Sequence, residues 1–226
     1  MNEIVTLQKM GKSFNGEPIF CEVDMGIKPG EIIALMGVNG CGKSTLLRII
    51  AGILPQTTGE VRRKKDTKIS YIPDRFPKLP FKVEDYLFHM GQIQGMAKEA
   101  IKDNINRMFE TLNIPSGIRT RQIVKCSKGT IQKINIMQAL ITTPDLLLLD
   151  EPFSGLDEGS VDGFLDLLKS LAKSGMAIIL SCHEKRLAQK LTDEIYVFAD
   201  GKCTKDSASA DMEEDWCGYA AYLDEI

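Results

Sequence analysis

A chain of 226 residues with 43% apolar and 26% charged side chains is long enough to bury one sizeable core, with room for an inserted subdomain. Its net charge of −3 gives no electrostatic footprint for nucleic acid or anionic lipid, and the basic run Arg62, Arg63, Lys64, Lys65 reads as a solvated strand edge. The cysteines (Cys21, Cys41, Cys126, Cys182, Cys203 and Cys217) form no CxxC pairing, which argues against a zinc site or a disulfide framework and for reduced thiols in a cytosol.

The first residues carry neither a basic leader nor an apolar core, so no signal peptide is expected. The longest apolar stretches, 32–36 and Leu146–Leu149, fall far short of the roughly 20 residues of a membrane helix. Residues 4–10 alternate as a strand, and 18–20 and 23–27 add β segments before the turn Lys28-Pro29-Gly30-Glu31. The continuous apolar run 32–36 predicts a strand buried on both faces. A glycine-rich loop follows, 44–51 reads as a helix that Gly52 stops, and 60–63 and 68–72 read as strands. Between about 83 and 143 the pattern becomes helical. Ile101, Ile105, Met108, Phe109 and Leu112 recur at helical spacing, as do Ile131, Ile134, Met137 and Ile141. Strand character returns at Leu146–Leu149, and a helix then carries Val161, Phe164, Leu165, Leu168 and Leu171 on one face. Ala177–Ser181 is predicted as a strand, Lys185–Leu191 as a helix and 194–199 as the last strand. Strands alternating with helices imply a parallel α/β sheet. Residues 206–226 contain no Lys or Arg but hold Asp211, Glu213, Glu214, Asp215, Asp224 and Glu225, and read as a solvated acidic tail.

Two constellations carry chemistry. Gly37-Val38-Asn39-Gly40-Cys41-Gly42-Lys43-Ser44-Thr45 satisfies G-x-x-x-x-G-K-[ST]. Its glycines let successive N–H groups surround phosphate oxygens, the following helix adds positive dipole character, and Lys43 supplies a point charge. The Ser44 hydroxyl is a candidate Mg²⁺ ligand. Gly37, Asn39, Gly40, Cys41, Gly42, Lys43, Ser44 and Thr45 are therefore the expected phosphate contacts. The second constellation is Leu146-Leu147-Leu148-Leu149-Asp150-Glu151-Pro152, a buried strand ending in two carboxylates at the sheet edge where α/β folds bind ligands. Asp150 would hold Mg²⁺ and Glu151 would orient and polarise the attacking water.

With these residues the chain resembles the ATP-binding subunit of ABC transporters, over nearly its whole length. That family has an LSGGQ-like signature opening a helix before the second carboxylate strand, and here Cys126-Ser127-Lys128-Gly129-Thr130 stands in that place. Ser127 and Gly129 match; the Leu, the first Gly and the Gln are replaced. Ser154-Gly155-Leu156-Asp157 looks like the family's D-loop, and His183, in Ser181-Cys182-His183, like its switch histidine. Phe14 stands where the family places an aromatic against adenine, with Phe20 as a rival for that role. Asp74, in Tyr71-Ile72-Pro73-Asp74, replaces the Q-loop glutamine; a carboxylate does not donate as an amide does, but it can reach Mg²⁺ through water.

The resemblance implies a P-loop NTPase of ABC type: a mixed sheet core with an antiparallel β subdomain and a helical subdomain insert. Its divisions would be a core over 1–81 and 144–205, an insert over 82–143 with the signature, and the tail 206–226. It implies ATP and Mg²⁺ as cofactors, with Ser127, Gly129 and Asp157 of one copy completing the nucleotide site of another in a homodimer. It also implies integral-membrane permease subunits as partners, no nucleic acid, and a cytoplasmic location on the inner face of the cell membrane. Lys128 and the short chain resemble ATPases of exporters. The alternatives are a soluble ABC-type ATPase not coupled to transport and a non-hydrolysing nucleotide-gated module. Cys41 and Cys126, both near helix N-termini that favour thiolate, are expected to approach across the closed dimer.

Overall fold

The computed structural model describes residues 3–77 and 79–206. The antiparallel part is built from β1 (Val5–Phe14), β2 (Glu17–Ile27) and β4 (Thr58–Arg63); β1 pairs with both of the others. The parallel part holds β3 (Ile32–Gly37), β5 (Ile69–Ile72), β6 (Leu146–Leu149), β7 (Ala177–Ser181) and β8 (Ile195–Ala199). With β9 (Lys202–Lys205) these form one sheet in the order β4-β1-β2-β9-β8-β3-β7-β6-β5. The sheet is thus mixed, with parallel pairing confined to the β8–β5 side and to a single bridge between Cys21 and Lys202.

Every residue of β3, β6 and β7 is buried, as their unbroken apolar runs require. Alternate side chains serve opposite faces. Leu146, Leu148, Ile179, Ile33 and Leu35 pack with Leu46, Leu47, Ile49 and Ile50 of α1 (Lys43–Ile50). Leu147, Leu149, Ile178 and Leu180 pack with Phe164, Leu165 and Leu168 of α5 (Glu158–Lys173). Ala34 and Met36 meet Ala188 of α6 (Lys185–Leu191).

Between β5 and β6 lie α2 (Val83–Ile93), α3 (Lys98–Thr111) and α4 (Lys128–Leu140), with short 3-10 turns at Ser116–Ile118 and Ile123–Lys125. Ile101, Ile105, Phe109, Ile134 and Met137 join the same continuous core as the α5 face of the sheet. The helices therefore share apolar packing with the sheet instead of closing a separate core.

β9 was not expected. Its four residues bury only Cys203 and offer little alternation, but the dipeptide Asp200-Gly201 before it has φ of 48° and 71°, the conformation of a tight two-residue hairpin turn. That turn pairs Ala199 with Lys202 and Phe198 with Cys203, so β8 is not the last strand. The acidic tail lies, from residue 207 onward, outside the described residues. No helix among the described residues is long and apolar enough to cross a membrane.

Leu148 is fully buried between α1 and the sheet. Leu148→Ala is expected to destabilise the fold by about 3 kcal/mol, seen as a lower urea midpoint with an unchanged denaturant slope.

Candidate functional site

The C-terminal ends of β3, β5, β6 and β7 bring the two constellations together. After β3 the chain turns through Gly37, Gly40 and Gly42, with φ of 142°, 81° and 113°. At Gly42 a Cβ would stand 2.7 Å from the Phe20 ring, and at Gly37 it would stand 2.8 Å from the Phe198 carbonyl oxygen, so space as well as backbone conformation demands glycine there. α1 begins directly after Gly42 with no side-chain cap, leaving its first-turn N–H groups for an anionic ligand. Lys43 is buried at 5% exposure, and its Nζ donates to the carbonyls of Gly37 (2.7 Å) and Val38 (3.0 Å).

Asp150 follows β6 and is 3% exposed. Its Oδ1 accepts from Ser44 Oγ and Ser181 Oγ, each at 2.9 Å, and its Oδ2 from the Tyr71 hydroxyl at 3.1 Å. Arg48 Nε donates to that hydroxyl at 3.4 Å. Glu151 has a left-handed backbone, φ 49°, and its N–H donates to Ser181 Oγ at 2.7 Å. Its carboxylate lies 2.8 Å from His183 Nε2 and 4.0 Å from Lys43 Nζ. Burial holds the Glu151 carboxyl above its ordinary value. His183 and Lys43 pull it down, while Asp150 and Asp74 push it further up. The result is a poised carboxylate beside a positive charge and a histidine.

α4 carries the 126–130 segment. Ser127 caps it, accepting from Thr130 N–H at 3.3 Å, with the two hydroxyls 2.9 Å apart. Gln132 Nε2 donates to the Pro152 carbonyl at 3.0 Å. A Cβ on Gly155, whose φ is 70°, would collide with Lys128 Nζ and Cδ, and one on Gly129 would touch Ser160 Oγ. The signature segment thus lies against residues 152–160. Asp157 caps α5, accepting from both the Ser160 N–H and its hydroxyl at 2.9 Å, and these bonds hold its carboxyl below the usual range.

A family model described as ABC transporter matches residues 20–154, more than half of the chain. The chain belongs to the ABC transporter family, as one of its ATP-binding subunits. It is 35% identical, over 99% of its length and 83% of the relative's, to an uncharacterized ABC transporter ATP-binding protein of Methanocaldococcus jannaschii. It is also 35% identical to a zinc import ATP-binding protein of a Ruegeria species, over 85% of this chain and 76% of that one. Among solved structures, a transporter described as of metal-chelate ABC type in an inward-facing conformation superposes with a TM-score of 0.82 at 25% identity, covering 91% of this chain and 83% of that chain. A dimeric bacterial ABC cassette shares the fold at a TM-score of 0.79 and 22% identity, over 89% and 97% of the two chains. The chain is accordingly an ATPase of the kind that powers transport.

Within this cassette, Phe14 ends β1 at 44% exposure, with Lys12 Nζ 4.8 Å from its ring centroid and donating to the Pro55 carbonyl. The rival Phe20 is buried edge-on against Phe198, at 5.6 Å between centroids, and offers no free face. Asp74 pairs at 3.8 Å with the exposed Arg75, and its charge helps to raise the Glu151 carboxyl. Asn39 lies exposed on the loop, beside Gly40.

The expected thiolate character of Cys126 is corrected. Burial raises its pKa, and its Sγ donates to the Gln122 carbonyl at 3.5 Å. Cys41 Sγ packs back onto Gly37, within 3.9 Å of Lys43 Nζ. Burial pushes Cys182 up to about 11 and Cys203 up to about 12. Iodoacetamide at pH 7.5 is therefore expected to label exposed Cys21 while sparing Cys182 and Cys203 in the folded protein, as peptide mapping would show.

Four site residues had no expected role: Ser181, Tyr71, Arg48 and Gln132. Ser181 stands two residues before His183, and Tyr71 puts a polar tip into an otherwise apolar strand end; each signal is weak until the strands are aligned. Tyr71→Phe removes one of three donors to a buried carboxylate. It is expected to lower stability by about 1–2 kcal/mol in denaturant unfolding.

Proposed function

We propose that this subunit hydrolyses ATP at the joint end of β3, β6 and β7, with Glu151 as the general base. The observation that carries the reading is the convergence of Lys43 and His183 on the Glu151 carboxylate, beside Asp150 and Ser44. Lys43 and the loop amides would bind the outer phosphates, and the exposed face of Phe14 would take the adenine. Glu151, raised by burial yet held by His183 Nε2, would orient the attacking water and accept its proton. His183 would keep that carboxylate in place and face the γ-phosphate.

The hydroxyl of Ser44 and the carboxylate of Asp150, 2.9 Å apart, are hard oxygen donors at a spacing that suits Mg²⁺. Among the described residues no group of three or more His, Cys, Asp or Glu could hold a metal, which fits an ion bound by one carboxylate, one hydroxyl and phosphate oxygens. When bound, Mg²⁺ would neutralise charge developing on the β- and γ-phosphates. Asp74 would reach that ion only through water.

Ser127 at the head of α4, Gly129 and Asp157 would complete the site of a second copy in a twofold homodimer, since one cassette leaves the γ-phosphate facing solvent. Permease subunits would hold the pair at the inner face of the cell membrane, and transport would follow from its closing and opening. The divisions 1–81 with 144–205, and 82–143, remain the proposed subdomains. The relatives named for zinc import remove the support for export that Lys128 and the chain length had offered.

Glu151→Gln is expected to bind ATP normally and to lower kcat at least about 100-fold, with Mg-ATP shifting it to a dimer on size exclusion. Wild-type turnover in this variant would rule Glu151 out as the base.

A further inference from the structure

We infer that Ser181 is a positioning residue for hydrolysis, holding both carboxylate residues at the end of β6 through a single hydroxyl. The inference rests on the roles proposed above for Asp150 and Glu151. Ser181 ends β7 and is fully buried. Leu149 pairs with Leu180 across β6 and β7, so Asp150 and Ser181 come next at the two strand ends.

A serine hydroxyl has one proton to give and two lone pairs to receive with. Here the proton goes to Asp150 Oδ1 at 2.9 Å, and a lone pair receives the Glu151 N–H at 2.7 Å. A buried serine needs one partner to be satisfied; this one spends both bonds on the two residues expected to do chemistry. Tyr71 differs, because its hydroxyl reaches Asp150 but not Glu151.

The bond to Glu151 matters because of the backbone there. A φ of 49° is a left-handed conformation that a residue with a Cβ keeps only where its surroundings hold it. The N–H bond to Ser181 pins the peptide entering Glu151, and with it the direction in which the side chain leaves toward His183 and Lys43. Without the hydroxyl, the peptide can turn to find another acceptor, and the carboxylate leaves the point where it meets the water. Asp150 Oδ1 would at the same time keep Ser44 as its single donor.

The test uses the full chain with Mg-ATP, comparing Ser181→Ala, Ser181→Cys and Ser181→Thr with wild type and with Glu151→Gln. Ala and Cys are expected to lower kcat by about 10- to 100-fold, while KM for ATP moves by less than about threefold, since misplacing a catalytic group costs rate more than binding. Thr, which keeps the hydroxyl, is expected to hold kcat within about fivefold of wild type at an unchanged thermal midpoint. Ala and Cys turning over within about twofold of wild type, with Glu151→Gln inactive, would overturn the role of Ser181 alone. All three variants falling together with their thermal midpoints would overturn it in favour of plain packing. A fully active Glu151→Gln would remove the assignment of the base, and this inference with it.

Discussion

Asp150 is only 3% exposed, and a carboxyl group so far from water is tolerated only where donors replace its hydration. The donors come from three parts of the chain: Ser44 at the start of α1, Ser181 at the end of β7 and Tyr71 in β5, with Arg48 behind Tyr71. Satisfying this one group fixes where the phosphate loop begins its helix and how the ends of β5, β6 and β7 stand to each other. Every described buried side-chain N or O atom has a partner, so the network is complete and rigid as it stands. A rigid Asp150 gives Glu151 a fixed base from which to meet Lys43 and His183.

The segment that follows Glu151 has a different support. Gln132 holds the Pro152 carbonyl, Lys128 lies across Gly155, and Gly129 packs toward Ser160. All three supports belong to α4, whose own core residues Ile134 and Met137 belong to the apolar cluster shared with α5 and β6. The helical region is therefore tied to the chain directly after Glu151 by packed and hydrogen-bonded contacts. The departures from the family's signature fall at this joint. Lys128 occupies the space over Gly155, and Thr130 supplies a hydroxyl to the Ser127 cap in place of a longer amide.

Much of this was legible in the chain itself because its signals are local. The runs at Leu146–Leu149 and Ala177–Ser181 had to be strands buried on both faces, and the phosphate loop announced itself by glycines that a Cβ would obstruct at Gly37 and Gly42. β9 escaped because four residues with one buried side chain carry too little pattern, although the Asp-Gly turn before it was a usable cue. The thiolate expected at Cys126 failed for a related reason: position near a helix start can be read from order, but the burial that raises its pKa cannot.

By itself the sequence determined the kind of fold and the kind of chemistry, since periodicity, glycine placement and the order of motifs are properties of neighbouring residues. Only the tertiary structure decided which side chains act on which. Ser181 lies 31 positions from Asp150, and Tyr71 lies 79 from it, yet strand register sets their hydroxyls on its two oxygens. It likewise separated Phe14, with an open face, from Phe20, buried against Phe198, and set Asp74 beside Arg75. The physical reason is that a carboxylate's environment is assembled across strands, from residues whose distance along the chain says nothing of their distance in space.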